Sequence, residues 1–207
     1  LRYYLTKTPA ILKPLARDLV WNFSRSADRV FLTFDDGPVP GVTDKVLDIL
    51  DDYGAKATFF VVGENAMKYP ELFQEIKHRG HQVGNHTFSH LNGWKTSNAM
   101  YVRNILKAHE LIQSDLFRPP YGKITRQQVR LIKHRFKIIM WDSLSGDFDR
   151  NNSPEICVRN ALNSIESGSI SVFHDSEKAK QNVLGALPLV LAKLVQKGFI
   201  MKPVSYA

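Results

Sequence analysis

Short apolar runs and longer helical patterns take turns along this chain, and that alternation limits its possible folds more than any single motif does. Val30 to Phe34, Ala57 to Val62, His81 to Asn85, Leu116 to Arg118, Phe136 to Trp141, Ser169 to Phe173 and Phe199 to Lys202 read as strands. Between them, Val42 to Tyr53, Pro70 to Arg79, Thr96 to Gln113, Thr125 to His134, Pro154 to Ser164 and Val183 to Gln196 carry helical periodicity. Gly54, Gly80 and Gly198 stop a helix just before the next strand. A repeated strand-helix order predicts an α/β fold with a mostly parallel sheet under covering helices. Seven strands and six helices in 207 residues predict a small or distorted (β/α) barrel rather than an open doubly wound sheet.

At 43% hydrophobic the chain can bury one substantial core. Residues 30–207 are expected to form a single catalytic domain. Residues 1–29 are expected to form an N-terminal arm packed on the barrel. Within that arm, Pro9 to Phe23 mixes Lys13, Arg17 and Asp18 with apolar residues, which suits a packing arm better than a membrane-surface helix. The formal charge of +8 favours anionic partners. Nucleic acid is not expected, because no recognition motif is present and the aromatics are not interleaved with a basic stripe. The lone Cys157 excludes an internal disulfide and a cysteine-rich zinc site. No run approaches the roughly 18 apolar residues of a transmembrane helix, and no secretory leader is legible. The start at Leu1 leaves a processed leader open, so the expected setting is the cytoplasm or, after processing, the cell envelope. Nothing in the sequence indicates an oligomeric state.

The polar residues favour one end of the strands. Asp35 and Asp36, followed by Gly37-Pro38, end the first apolar run; His86 and His90 follow the third; Arg118-Pro119-Pro120-Tyr121 follows the fourth. Asp142 and Asp147 follow the fifth, and His174-Asp175 the sixth. Barrel enzymes build their sites at the C-terminal ends of strands. Taken singly, an Asp-Asp-Gly is an ordinary turn and a pair of histidines four apart is a weak signal. Their joint order is harder to explain that way. Two imidazoles four residues apart can close on one ion, and a nearby carboxylate supplies a third ligand while its neighbour is left over.

On these motifs the chain resembles the NodB-like polysaccharide deacetylases of carbohydrate esterase family 4, from about Val30 to Lys202. Thr33-Phe34-Asp35-Asp36-Gly37, His86-Thr87-Phe88-Ser89-His90, Arg118-Pro119-Pro120-Tyr121, Leu144-Ser145-Gly146-Asp147-Phe148 and Val172-Phe173-His174 stand in the order of the family's five motifs. The resemblance implies the distorted (β/α)7-type barrel of the NodB homology domain. It implies that Asp36, His86 and His90 bind a divalent metal, most often Zn2+. It assigns Asp35 as the general base toward the attacking water, with Arg118 as its partner. The Tyr121 backbone N–H would hold the oxyanion. His174 would be the general acid and Asp147 its partner. Pro120, Trp141, Phe148 and Val172 are expected around the acyl group.

Two motifs depart from the family pattern. Leu144 and Phe148 stand where the fourth motif usually has an acid and a tryptophan, and Val172 replaces a leucine in the fifth. Neither change removes a proposed ligand, base or acid. The resemblance implies a metal-dependent hydrolase that removes acetyl groups from a carbohydrate, most readily N-acetyl groups of an amino-sugar polymer or oligomer. The same chemistry serves an ester. The alternatives are an O-acetyl esterase acting on a neutral polysaccharide, a metal amidase acting on a small non-sugar amide and, from a different class, a non-catalytic carbohydrate-binding module. A pure binder is expected to have lost a ligand, the base or the acid, and all are present here.

Overall fold

The computed structural model describes residues 4–9 and 18–205. Its nine strands all pair in parallel, in the order β1-β6-β5-β4-β3-β2-β8-β7, with β9 beside the start of β2. The strands are β1 (Leu19–Val20), β2 (Arg29–Asp35), β3 (Thr58–Val61), β4 (Gln82–Asn85), β5 (Leu116–Phe117), β6 (Lys137–Ile139), β7 (Ser143–Leu144), β8 (Ile170–His174) and β9 (Ile200–Met201). The helices are α1 (Thr43–Asp52), α2 (Gly63–Lys68), α3 (Pro70–His78), α4 (Asn98–Ile112), α5 (Arg126–Ile132), α6 (Pro154–Ser164) and α7 (Lys180–Gln196). No described helix is long and apolar enough to cross a membrane.

Strand β2 lies between β3 and β8, and its alternation organises the molecule. Phe34 stands in register with Phe59 of β3 and Phe173 of β8, and these rings pack with Leu32 into the large core under α1 and α7. The intervening positions point to the concave side. There Phe31 joins Phe60, Leu116, Ile139, Ile170 and Val204 in an apolar floor. Four residues beyond Phe31 on the same face comes Asp35, in register with Phe60 and His174. The interior of the curled sheet is therefore greasy at the N-terminal end of its strands and charged at the other.

The barrel is distorted because β6 and β7, consecutive in sequence, do not pair with each other. Strand β1 borders β6 at one edge, through Leu19↔Ile138 and Val20↔Ile139. At the other edge β7 carries only an isolated bridge, Lys7↔Ser143. Arg25 spans to the Asp142 carboxylate at 2.6 Å.

Three elements escape the sequence reading. Strands β1 and β7 have two residues each, too few to show a period, and α2 has six and begins at a glycine. The expected arm, Pro9 to Phe23, falls partly on residues 10–17, outside the described residues, and its Leu19–Val20 lies in the sheet. Helix α7 starts three residues earlier than periodicity indicates and keeps Pro188 within it.

Candidate active site

Strand β2 ends because Asp36 adopts a left-handed backbone, φ 83°. This reversal sends two adjacent carboxylates in different directions. Asp35 continues the strand's inward alternation and is buried, whereas Asp36 turns toward the loop after β4. The turn is pinned from β8: Asp175 accepts the Gly37 N–H at 3.0 Å and the Thr43 hydroxyl at 2.7 Å, and its own N–H donates to the Asp35 carbonyl at 3.1 Å. A Cβ on residue 37 would collide with the Asp175 carboxylate, so only glycine fits. Burial pushes the Asp175 carboxyl up to about 7, against the hydrogen bond from Thr43.

The histidine loop is built by two asparagines. Asn85, closing β4, accepts the Thr87 N–H at 2.8 Å and donates to the Ile105 carbonyl. Asn104 of α4 accepts the N–H groups of Phe88 and Ser89 at 2.8 and 3.1 Å. Thr87 and His90 have positive φ, 64° and 53°. Of the five described non-glycine residues with positive φ, four (Asp36, Thr87, His90 and Tyr121) lie at this one place. Such conformations cost energy and cluster where function requires a fixed geometry.

The result brings Asp36, His86 and His90 together, with one ligand atom of each within 4.8 Å of the others. Among the described residues it is the only such group of three. The donor set fits a divalent ion. Nδ1 of His86 lies 2.8 Å from the Arg118 carbonyl, which only accepts, so that nitrogen carries the proton and Nε2 presents its lone pair toward Asp36. Nδ1 of His90 meets the Tyr121 hydroxyl at 3.1 Å, leaving its Nε2 3.1 Å from Asp36 Oδ1. Burial lowers the His86 pKa to about 4, so its imidazole is neutral, as a ligand must be. Burial alone would raise the Asp36 carboxyl, but the hydrogen bond from His90 and the nearby charge of His174 hold it well below the usual carboxylate range.

Beside this group stands Arg118, fully buried. Its guanidinium donates to Asp35 Oδ1 and the Thr33 hydroxyl at 2.7 Å each, to the Met140 carbonyl at 3.0 Å and to the Ile139 carbonyl at 3.2 Å. It also lies over the Phe60 ring at 4.1 Å. On the far side, Asp147 accepts from His174 twice, from the backbone N–H at 2.7 Å and from Nδ1 at 2.8 Å. Burial would lower the His174 pKa; the charge and hydrogen bond of Asp147, with Asp36 and Asp35, outweigh it and lift the imidazole to about 9.

The four residues expected around the acyl group are placed differently from one another. Val172 is buried on the concave face, in register with Thr33 and Leu144. Pro120 is buried in the turn that bears Tyr121, and Trp141 packs against Gly122 of that turn, 5.8 Å from the guanidinium of Arg118. The Phe148 ring meets His174 edge-on at 5.1 Å and Tyr4 at 5.0 Å. Asp142, grouped with the site by its position after a strand, is not brought to it. Its carboxylate takes Arg25 and the Ile170 N–H, so it serves the framework.

Asn85, Asn104 and Asn182 escape the sequence reading, and Thr33 and Asp175 stand in it without a role; Asn182 donates to the carbonyls of Asp147 and Asp149. The available signal was an asparagine inside a helix, a poor helix former that seeks backbone partners.

A sequence model of the polysaccharide deacetylase family matches residues 24–135, more than half of the chain. The peptidoglycan-N-acetylglucosamine deacetylase of Bacillus cereus is 35% identical over 177 residues, 82% of this chain and 64% of that protein. This chain thus spans just under two thirds of that relative. A chitooligosaccharide deacetylase of Azorhizobium caulinodans is 29% identical over 199 residues, 87% of this chain and 94% of that one. Among solved structures, the Bc1960 peptidoglycan N-acetylglucosamine deacetylase, in complex with 4-naphthalen-1-yl-N-oxidanyl-benzamide, matches with a TM-score of 0.88 at 30% identity over 95% of each chain. The family model ends before Asp147 and His174, and the structural match extends over almost the whole barrel. The chain therefore belongs to the polysaccharide deacetylase family and has that family's distorted (β/α) barrel.

Proposed function

We propose that this protein is a metal-dependent hydrolase that removes N-acetyl groups from an amino-sugar polymer or oligomer. The observation that carries this reading is the convergence of three charged units at the C-terminal ends of different strands: the Asp36, His86, His90 group, the Asp35–Arg118 pair and the Asp147–His174 pair. The relatives' names, which specify deacetylation of peptidoglycan and of chitooligosaccharides, support an amino-sugar substrate.

In this reading Asp36, His86 and His90 hold the ion, Zn2+ by preference for two imidazoles and a carboxylate. When bound, it acts as a Lewis acid that polarises the acyl oxygen and makes the attacking water more acidic. Asp35 accepts the proton of that water. Arg118, itself anchored on the Thr33 hydroxyl, holds the carboxylate in place, since a base must lie within hydrogen-bond reach of the proton it takes. The Tyr121 backbone N–H donates to the developing oxyanion. His174, kept protonated by Asp147, delivers a proton to the departing amine. Pro120, Trp141, Phe148 and Val172 surround the acetyl methyl. Residues 30–207 are the catalytic domain in this proposal, with residues 1–29 as an arm. The pairing of Leu19–Val20 with β6 and the contact of Arg25 with Asp142 support an arm packed on the barrel.

Mass-spectrometric detection of acetate loss from chitooligosaccharides, peptidoglycan fragments and acetyl-xylan tests the reading. Release from the N-acetylated sugars, abolished by a chelator and restored by zinc, is expected. Release from acetyl-xylan alone would make the protein an O-acetyl esterase. No release from any substrate by zinc-loaded protein would leave carbohydrate binding without catalysis.

A further inference from the structure

We propose that Trp94, flanked by Lys123, binds a further sugar ring of the glycan, beyond the ring whose acetyl group is hydrolysed. This inference rests on the deacetylase reading above and extends it to the length of chain the enzyme prefers.

Among the described Phe, Tyr and Trp side chains, two are exposed: Trp94 at 65% and Tyr121 at 61%. Both sit on the loops that carry the site. Tyr121 touches His90 through its hydroxyl, and Trp94 follows His90 by four residues. An indole left in water forgoes the stabilisation its burial would give. A floppy loop would explain such exposure trivially, but this loop is held at every point. The Trp94 N–H donates to the Asn92 side chain at 3.0 Å, and Nε1 donates to the Ile124 carbonyl at 3.2 Å. The buried Gln128 carboxamide donates to the Gly93 carbonyl at 2.8 Å and the Thr96 carbonyl at 3.3 Å, and accepts the Thr125 N–H at 2.9 Å. Gly93 packs so closely on the Lys123 backbone that any side chain at 93 would collide with it.

The histidine loop and the Tyr121 loop therefore form one rigid unit that holds an indole out in solvent. Its polar edge is already satisfied, so what remains to be recognised is the flat apolar face. The Lys123 ammonium stands over one side of the ring, 5.4 Å from its centroid, and adds a donor there. A flat apolar face next to a hydrogen-bond donor matches a pyranose ring, whose axial C–H groups form an apolar face and whose rim carries hydroxyl and acetamido oxygens. Four residues of chain place the Trp94 Cα within about 14 Å of that of His90. A ring on Trp94 can thus belong to the same glycan as the ring at the candidate site.

The test compares the unmutated protein with Trp94→Ala and Trp94→Phe on N-acetylglucosamine oligomers from the disaccharide upward. In the unmutated protein kcat/KM should rise with chain length. Trp94→Ala should flatten that rise, losing about tenfold on the long oligomers, chiefly in KM, the scale of one lost aromatic stack. Trp94→Phe keeps a ring face without the N–H and should keep most of the rise. Equal losses of Trp94→Ala on the disaccharide and the long oligomers, or no loss at any length, would overturn the proposal while leaving the deacetylase reading intact. If the unmutated zinc-loaded protein releases no acetate, the deacetylase reading fails, and calorimetric titration with a long oligomer decides the subsite. Binding that Trp94→Ala weakens about tenfold keeps the subsite; equal binding, or none, removes it.

Discussion

The Asp35–Arg118 and Asp147–His174 pairs stand side by side, on β2 and at the end of β8, with nearly equal separations of 2.7 and 2.8 Å. Their surroundings make them opposites. Arg118 spends its donors on Asp35, Thr33 and two backbone carbonyls and is capped by the Phe60 ring. Burial lowers its hold on the proton, opposed by Asp35, but a guanidinium is basic enough to stay charged. This pair is a fixed dipole, a means of aiming a carboxylate. His174 is 15% exposed, and its cation exists only while its proton does. Asp147 tunes when that proton leaves. In the proposed mechanism one side of the site holds still and the other exchanges a proton.

Removing Arg118 should give the largest effect. Arg118→Met leaves the Asp35 carboxylate in a buried site without its cation, and the expected loss is about 3–5 kcal/mol of stability, with hydrolysis abolished. Urea unfolding and acetate release measure the two. A variant with an unmoved urea midpoint would show that the Arg118 pair is no more structural than the His174 pair, and the contrast would collapse.

Asp147→Asn should do less to stability and more to pH dependence. The His174 pKa is raised, so its acid form dominates below about 9 and the rate should fall as pH rises through that value. Without the Asp147 charge the alkaline limb of kcat/KM should move to lower pH by about one unit or more, while the acid limb stays. A variant that is slower with both limbs unmoved would make Asp147 a support for its loop rather than a tuner of the acid.

The same contrast explains what could be read from the sequence. Asp35-Asp36 and the two histidines four apart were legible because their chemistry lies in local spacing, and β2 was legible because its apolar run stops abruptly at two carboxylates. The roles of Thr33 and Asp175 were not, because each acts on a partner more than 80 residues away in the chain. Asp142 shows the limit from the other side. Its position after a strand resembles that of Asp147, but Arg25 captures it, and nothing local announces that contact. The edge strands β1 and β7 exist only through their neighbours, since two residues carry no period.

Metal content and acetate release, measured together on Asp35→Asn and Asp36→Ala, test the central claim most directly, because the two carboxylates are adjacent in sequence and assigned different work. Asp35→Asn should keep its zinc and lose about 10²–10⁴-fold in rate, the contribution of a general base. Asp36→Ala should lose both the metal and the activity, since a set of two imidazoles and one carboxylate cannot spare a donor. Elemental analysis showing zinc lost from Asp35→Asn and retained by Asp36→Ala would contradict the division of labour between them.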